Sequence, residues 1–244
     1  MKNIILCEGS TDGILLQYFM RKVHQWEDVK KQKRLFGEHA LWFRSLKKGN
    51  DKLDIVSCDG SSRLLPCIEY LLELNKTASL NESYNKVIVV TDRDEYTTEE
   101  VFITAVGEIF TQNSIHRKDQ LEQDKWIECV YESANGRERS MEILLLVIPF
   151  EDNGAMETFL LNAIGSRNAY DAEIIRQGNL FIDSVDPERR YLTKRRYVTK
   201  AKFDVYFSVR TSAAQFRQRQ DIIKEIEWEN YIDTQSEFAK LADL

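Results

Sequence analysis

Three times before Gln112 the chain passes from a short apolar run through a tight polar turn into an amphipathic helix, and this repetition restricts the fold more than any other feature. The first unit is Ile4-Ile5-Leu6, then Glu8-Gly9-Ser10-Thr11-Asp12-Gly13, then Leu15, Leu16, Phe19 and Val23 at helical spacing. Ser10 or Thr11 is expected to cap that helix by accepting from its orphan N–H groups. The second is Leu53-Asp54-Ile55-Val56-Ser57-Cys58, the turn Asp59-Gly60, and a helix with Leu64, Leu65, Ile68, Leu71 and Leu72 on one side. The third is Lys86-Val87-Ile88-Val89-Val90-Thr91, the turn Asp92-Arg93-Asp94, and a helix with Phe102, Val106, Ile109 and Phe110 inward. Successive strand–helix units predict a mostly parallel sheet flanked by helices. The third strand, apolar at four successive positions, reads as buried on both faces, as central parallel strands are. The stretch from Lys30 to Lys52 reads as a polar, lysine-rich connection.

After the third helix the rhythm changes. Trp126 to Glu132 and Ser140 to Pro149 are strand-like and joined through Ala134-Asn135-Gly136-Arg137, a hairpin signal. One arm is expected to pair antiparallel with the last core strand. Glu151-Asp152-Asn153-Gly154 then opens a helix with Met156, Phe159, Leu160 and Ile164 spaced at three and four. Beyond it the spacing predicts helices over 170–177, 201–209 and 214–228 and no clear strand. A soft boundary falls near Gly165-Ser166-Arg167-Asn168, giving an α/β domain over 1–165 and a helical extension over 166–244.

Composition narrows the class. With 43% hydrophobic residues, only 10 Gly and only 3 Pro, the chain can supply a core. The longest apolar run, Ile143 to Phe150, is far short of the ~20 residues of a bilayer span, and an acid follows the first apolar residues too soon for a signal peptide. A cytoplasmic protein without a membrane partner is expected. Cys7, Cys58, Cys67 and Cys129 lie far apart with no Cys-x-x-Cys, so they read as reduced thiols and offer no zinc knuckle.

Ligands of open parallel sheets bind beyond the carboxyl ends of the strands, and there the chain places acids. Glu8 follows the first strand, Asp59 the second, and Asp92 and Asp94 the third; Asp12 opens the first helix and Glu157 the fourth. Each has an ordinary structural explanation: an acid in a helix's first turn complements the macrodipole, and Asp in a turn bonds nearby N–H groups. Their coincidence on one rim has a cost. Two carboxylates ~4 Å apart repel by about 4 kcal/mol at an effective dielectric of 20, so such a cluster protonates or recruits a cation. Oxygen ligands alone point to Mg²⁺, Mn²⁺ or Ca²⁺, since His24, His39 and His116 are scattered.

Glu8-Gly9-Ser10-Thr11-Asp12 after a hydrophobic strand, with Asp92-Arg93-Asp94 at the end of a later one, resembles the Toprim domain of topoisomerases, bacterial primases and OLD (overcoming lysogenization defect) nucleases. With Glu157 added, the likeness is greatest to OLD-type nucleases and small stand-alone Toprim-like proteins, over about Met1 to Ile164. The resemblance implies a Rossmann-like Toprim fold, Glu8 in acid/base chemistry or metal binding, Asp92 and Asp94 as a metal-binding pair, and Asp12 and Glu157 supporting a second metal. Some OLD-type nucleases also use a lysine after these acids, a part that Lys200 or Lys202 could play. No Gly-x-x-x-x-Gly-Lys-Ser/Thr loop occurs, which leaves open a separate ATPase partner.

The activity expected is Mg²⁺- or Mn²⁺-dependent phosphodiester hydrolysis, with nucleic acid as partner. The basic stretch Arg189, Arg190, Lys194, Arg195, Arg196, Lys200 and Lys202, interleaved with Tyr191 and Tyr197, would grip phosphates and stack on bases, or would simply balance an acidic domain. The net charge of −6 lends no global support to nucleic-acid binding. The rival expectation is a Toprim-like scaffold that binds metal and a nucleotide, or a partner protein, without turnover.

Overall fold

The computed structural model describes residues 1–30, 36–95, 97–150, 153–212 and 219–244. Two compact units emerge, Met1–Val147 with Lys240–Leu244, and Ile148–Ala239.

The first unit is built on an eight-stranded sheet. Its strands are β1 (Lys2–Cys7), β2 (Glu27–Asp28), β3 (Trp42–Lys48), β4 (Asp51–Ser57), β5 (Lys86–Asp92), β6 (His116–Arg117), β7 (Ile127–Glu132) and β8 (Glu138–Ile148), in the order β2-β3-β4-β1-β5-β8-β7-β6. The three strands of the repeated units are neighbours and parallel: Ile5 of β1 stands in register with Ile55 of β4 and Ile88 of β5. Burial follows the apolar runs, with Ile4 to Cys7 inaccessible and Val87 to Val90 buried on both faces.

Crossover helices cover the faces. Residues Ile4, Leu6, Val56, Val87 and Val89 share one core with Leu64, Ile68 and Leu71 of α2 (Ser61–Thr77) and Phe102, Val106 and Phe110 of α3 (Thr98–Gln112). Cys7 points to the other face, where it meets α1 (Ser10–Lys22) near Gly13. The hairpin expected around Asn135-Gly136 forms: β7 and β8 are antiparallel, and Gly136 has φ 72°.

Two local expectations are corrected. The polar connection over 30–52 contains β3, which pairs antiparallel with β4 through a turn whose Gly49 has φ 59°. Within β3 only Phe43 and Leu46 are buried, three residues apart, so no period-two pattern marks it as a strand. The cap of α1 is Gly9, not Ser10 or Thr11; Asp12, at the third helical position, reaches back to accept from the Gly9 N–H at 2.7 Å.

The second unit contains α4 (Met156–Arg167), α5 (Ala169–Val185), α6 (Arg195–Arg210), α7 (Arg219–Glu225) and α8 (Ile232–Glu237). The soft boundary read at 165–168 falls at the junction of α4 and α5, where the Asn168 side chain caps α5 by accepting from the Tyr170 N–H. The helices expected over 170–177 and 201–209 are longer than their apolar spacing suggested, and α6 takes in the basic residues from Arg195. Residues 214–218 of the helix expected over 214–228 lie outside the described residues; its remainder holds α7. Gly178 lets α5 approach α6 closely, because a Cβ there would stand 3.1 Å from Val205 Cγ1. Among the described residues no helix is long and apolar enough to cross a membrane.

Candidate functional site

The carboxyl ends of β1, β4 and β5 converge on Glu8. Its backbone carbonyl accepts from the Gly60 N–H at 2.8 Å, which draws the loop after β4 against the end of β1. Asp59 (φ 69°) and Gly60 (φ 104°) both take left-handed backbone to make that approach. The Glu8 side chain, only 8% exposed, accepts the Thr91 hydroxyl and, at 3.2 Å, the Asp92 N–H, both from the end of β5. The Ser61 N–H, at the start of α2, also donates to it. The first acid of the sequence motif is thus fixed by three strand ends.

Electrostatics carries the same picture. Burial raises the Glu8 carboxyl above the ordinary carboxylate range; the charge of Asp94 raises it further, against the lowering influence of the three donors. On the neighbouring Cys7 thiol burial again leads, followed by the charges of Asp12, Glu8 and Asp92, which together push it well above the usual thiol range. Three acids that lie up to 84 residues apart in sequence therefore act on one sulfur atom.

Within this group the roles differ. Asp12 is buried and holds the Gly9 N–H, so at least one of its oxygens serves the start of α1. Asp92 is half-buried and Asp94 exposed. Arg93, between them, is turned into the protein, where it donates to Glu99 at 2.6 Å and Gln123 at 2.9 Å. That pairing fixes the Asp92–Asp94 turn and uses the guanidinium away from solvent. Sequence reading missed Thr91, Ser61, Glu99 and Gln123. Thr91 carried a faint signal, a hydroxyl at the end of an apolar strand; the others carried none, because their parts depend on tertiary proximity.

Among the described residues no three Asp, Glu, His or Cys side chains stand close enough to hold a metal ion. A full protein cage of the kind Ca²⁺ requires does not fit this rim. Mg²⁺ fits better, since it keeps several waters and takes one or two carboxylates, and the donors here are all oxygens.

The remaining sequence candidates belong to the second unit. Glu157 lies in the first turn of α4, 4% exposed. Lys200 is exposed on α6, whereas Lys202 is half-buried and ion-paired with Asp183 at 2.8 Å. The preceding loop is organised by Asp186, whose carboxylate accepts from the N–H groups of Arg190, Tyr191 and Leu192 at 3.0, 2.8 and 2.8 Å. Those donors hold Asp186 below the usual carboxylate range. Arg190 lies over the Tyr191 ring and Arg196 over the Tyr197 ring, with all four side chains exposed.

A family model described as "Protein of unknown function (DUF3226)" matches residues 2–241. No curated protein matches the chain. Among solved structures, the hypothetical protein PH0156 from Pyrococcus horikoshii OT3 is 16% identical, with a TM-score of 0.51 over 87% of this chain and 91% of that one, a likeness of fold alone. A glyoxalase/bleomycin resistance protein/dioxygenase family enzyme from Burkholderia phytofirmans PsJN reaches a TM-score of only 0.20 at 10% identity, covering 59% of this chain and 97% of that one, too low to carry an argument.

Proposed function

The chain belongs to the DUF3226 family, and we propose that it hydrolyses phosphodiester bonds of nucleic acid with the help of Mg²⁺ or Mn²⁺ at the rim formed by Glu8, Asp92 and Asp94. One observation carries this reading: a buried carboxylate with a raised pKa is held by the end of the neighbouring strand, within electrostatic reach of Asp94. The motifs Glu8-Gly9-Ser10-Thr11-Asp12 and Asp92-Arg93-Asp94, which resemble those of Toprim domains, support it.

Glu8 is the proton acceptor. Burial makes its carboxylate a stronger base than an exposed one, and the Thr91 and Asp92 donors fix its orientation before substrate arrives. Asp92 and Asp94 would hold the divalent ion, with water completing its shell, and the ion would supply charge stabilisation to the phosphoryl oxygens. Asp12 positions the Glu8–Gly9 turn through its bond to the Gly9 N–H. The exposed cations from Arg189 to Lys200 engage the phosphate backbone without regard to sequence. The resemblance also gives parts to Glu157, in support of a second metal, and to Lys200 or Lys202, as the lysine that some OLD-type nucleases use after these acids. An ATPase on a separate chain fits the same resemblance.

Incubation with plasmid and with single-stranded DNA and RNA in Mg²⁺ or Mn²⁺ tests the proposal. Cleavage is expected, and Glu8→Gln or Asp92→Asn should lower it by about 100-fold or more, the ordinary worth of a general base, with circular dichroism unchanged. Folded wild-type protein inert on every substrate with both ions would overturn it. With no three-acid group among the described residues to hold the ions of a two-metal reaction, a second reading is a module that binds one hydrated ion with a nucleotide, or a partner protein, without turnover. That reading predicts calorimetric heat on Mn²⁺ titration and no product at any time.

A further inference from the structure

We propose that the cavity bounded by α4, α5, α6 and the Asn153–Gly154 loop receives a single unstacked nucleobase, so that the strand this protein engages is single-stranded. The inference deepens the phosphodiester reading and rests on it only for what becomes of the strand once bound.

The cavity has a volume of about 230 Å³. That lies below the roughly 300–1,000 Å³ typical of sites for drug-sized ligands, so it suits one ring system. Leu161 and Val198 give it apolar wall, as the faces of a base require. Asn153, Asn162 and Asn179 give it polar edges. Two of these amides are unusual. Oδ1 of Asn153 and Oδ1 of Asn179 are shut off from bulk water and accept no hydrogen bond among the described residues. Buried polar atoms are nearly always paired, and exceptions call for an explanation. Each Oδ1 is thus an acceptor left for a ligand's donor, and an asparagine amide pairs with the edge of adenine through two bonds.

The charges sort the ligand further. Arg195 and Lys202 line the same cavity from one face of α6, at positions seven residues apart. Lys202 is already paired with Asp183, while Arg195 is exposed at the first turn. A phosphate seated inside would give up its water against the apolar wall of Leu161 and Val198. A neutral base inside, with its phosphate outside against Arg195, satisfies both sets of groups. Tyr191, 73% exposed, and Tyr197, 38% exposed, lie on the same basic stretch and offer stacking faces to adjacent bases. A base stacked and paired within a duplex reaches a pocket of this size only if it is flipped out, which favours a single strand. Lys202 lines this cavity and Lys200 is not among its lining residues.

The test is binding in EDTA, so that it reads recognition without hydrolysis, on wild-type protein and Glu8→Gln. Fluorescence anisotropy compares a 12-nucleotide oligo-dA, the same length of abasic sugar-phosphate, and a 12-base-pair hairpin. Oligo-dA should bind at least tenfold more tightly than either of the others. Asn179→Leu, and separately Thr199→Phe to fill the cavity from α6, should erase that margin while leaving the weak binding to the hairpin unchanged. On wild type alone, 2-aminopurine within the oligonucleotide should brighten on binding as it leaves its stack. Equal affinity for oligo-dA and the abasic strand, unchanged binding by both variants, or no brightening would overturn the inference. Binding with these signatures but no cleavage in Mn²⁺ would instead sink the hydrolysis proposal alone; cleavage without them would sink only the base pocket.

Discussion

Asn3 near the start of β1 and Glu8 just beyond its end illustrate opposite uses of burial. Glu8 has a raised pKa, so its folded-state value lies above the unfolded one near 4.5. For such a group the stabilising protonated form is complete below the unfolded value and is lost as pH rises through the folded value. At pH 7, above the unfolded value, the folded site's preference for the protonated form is therefore a cost that folding bears for the sake of the rim. Glu8→Gln should raise the melting temperature at pH 7, and the gain should shrink toward zero as pH falls to about 4.5; a gain that stays constant with pH would show that Glu8 is neutral throughout. Asn3, fully buried, has neither its amide oxygen nor its nitrogen hydrogen-bonded among the described residues. It lies at the opposite end of β1 from the acids, with Lys86 and Leu53 as register partners. An unsatisfied buried amide costs about 1–3 kcal/mol. Asn3→Val removes it and suits a strand, so a gain of about 1–2 kcal/mol in urea unfolding is expected, with metal response and cleavage unaltered.

At the scale of elements, the contact of α1 with β3 turns on one glycine. A Cβ at Gly13 would stand 2.8 Å from the Trp42 ring, far inside van der Waals contact. In an exposed helix Gly→Ala gains about 1 kcal/mol; here overpacking costs about 1–3 kcal/mol. Gly13→Ala should therefore destabilise wild type, and the same change in a Trp42→Ala background should stabilise by up to about 1 kcal/mol. A double-mutant cycle by denaturant unfolding reads this reversal of sign. The same element marks the limit of what the sequence could tell. The strand–turn–helix units were legible because β1, β4 and β5 are buried and their apolar residues are continuous. Strand β3 was not, since a Gly in α1 and a half-buried Trp 29 positions later meet only in three dimensions. The site divides likewise. Glu8 and Asp92 were readable from their place immediately after or at the end of an apolar run. Thr91, Ser61 and Gln123 were not, because a hydroxyl or an amide has no positional signature until the chain around it is folded. The role of Asp12 was only half readable: an acid in the first turn was expected, but its partner, the Gly9 N–H, follows from a cap that the sequence placed one or two residues too late.

Over the whole chain the charge is divided rather than diffuse. The total is −6, yet Arg189, Arg190, Lys194, Arg195, Arg196 and Lys200 are all exposed within twelve residues of one another. A globally acidic protein repels polyanions at long range, so binding to nucleic acid depends on this local field and on salt. Each single-strand phosphate neutralised contributes about 0.7 to the slope of log affinity against log salt. Six contacts set an upper bound of about 4. If the segment is the grip, the measured slope for a single-stranded oligonucleotide in EDTA should fall between about 2 and 4, and Arg189→Ala combined with Arg190→Ala should reduce it by about 1.4. Lys202 is excluded from that bound because Asp183 already neutralises it, so Lys202→Gln should leave the slope unchanged even where it weakens binding. A slope near zero in wild type would assign these cations to balancing the acidic surface, and would remove the basic stretch from the proposed nucleic-acid interface while leaving the carboxylate rim untouched.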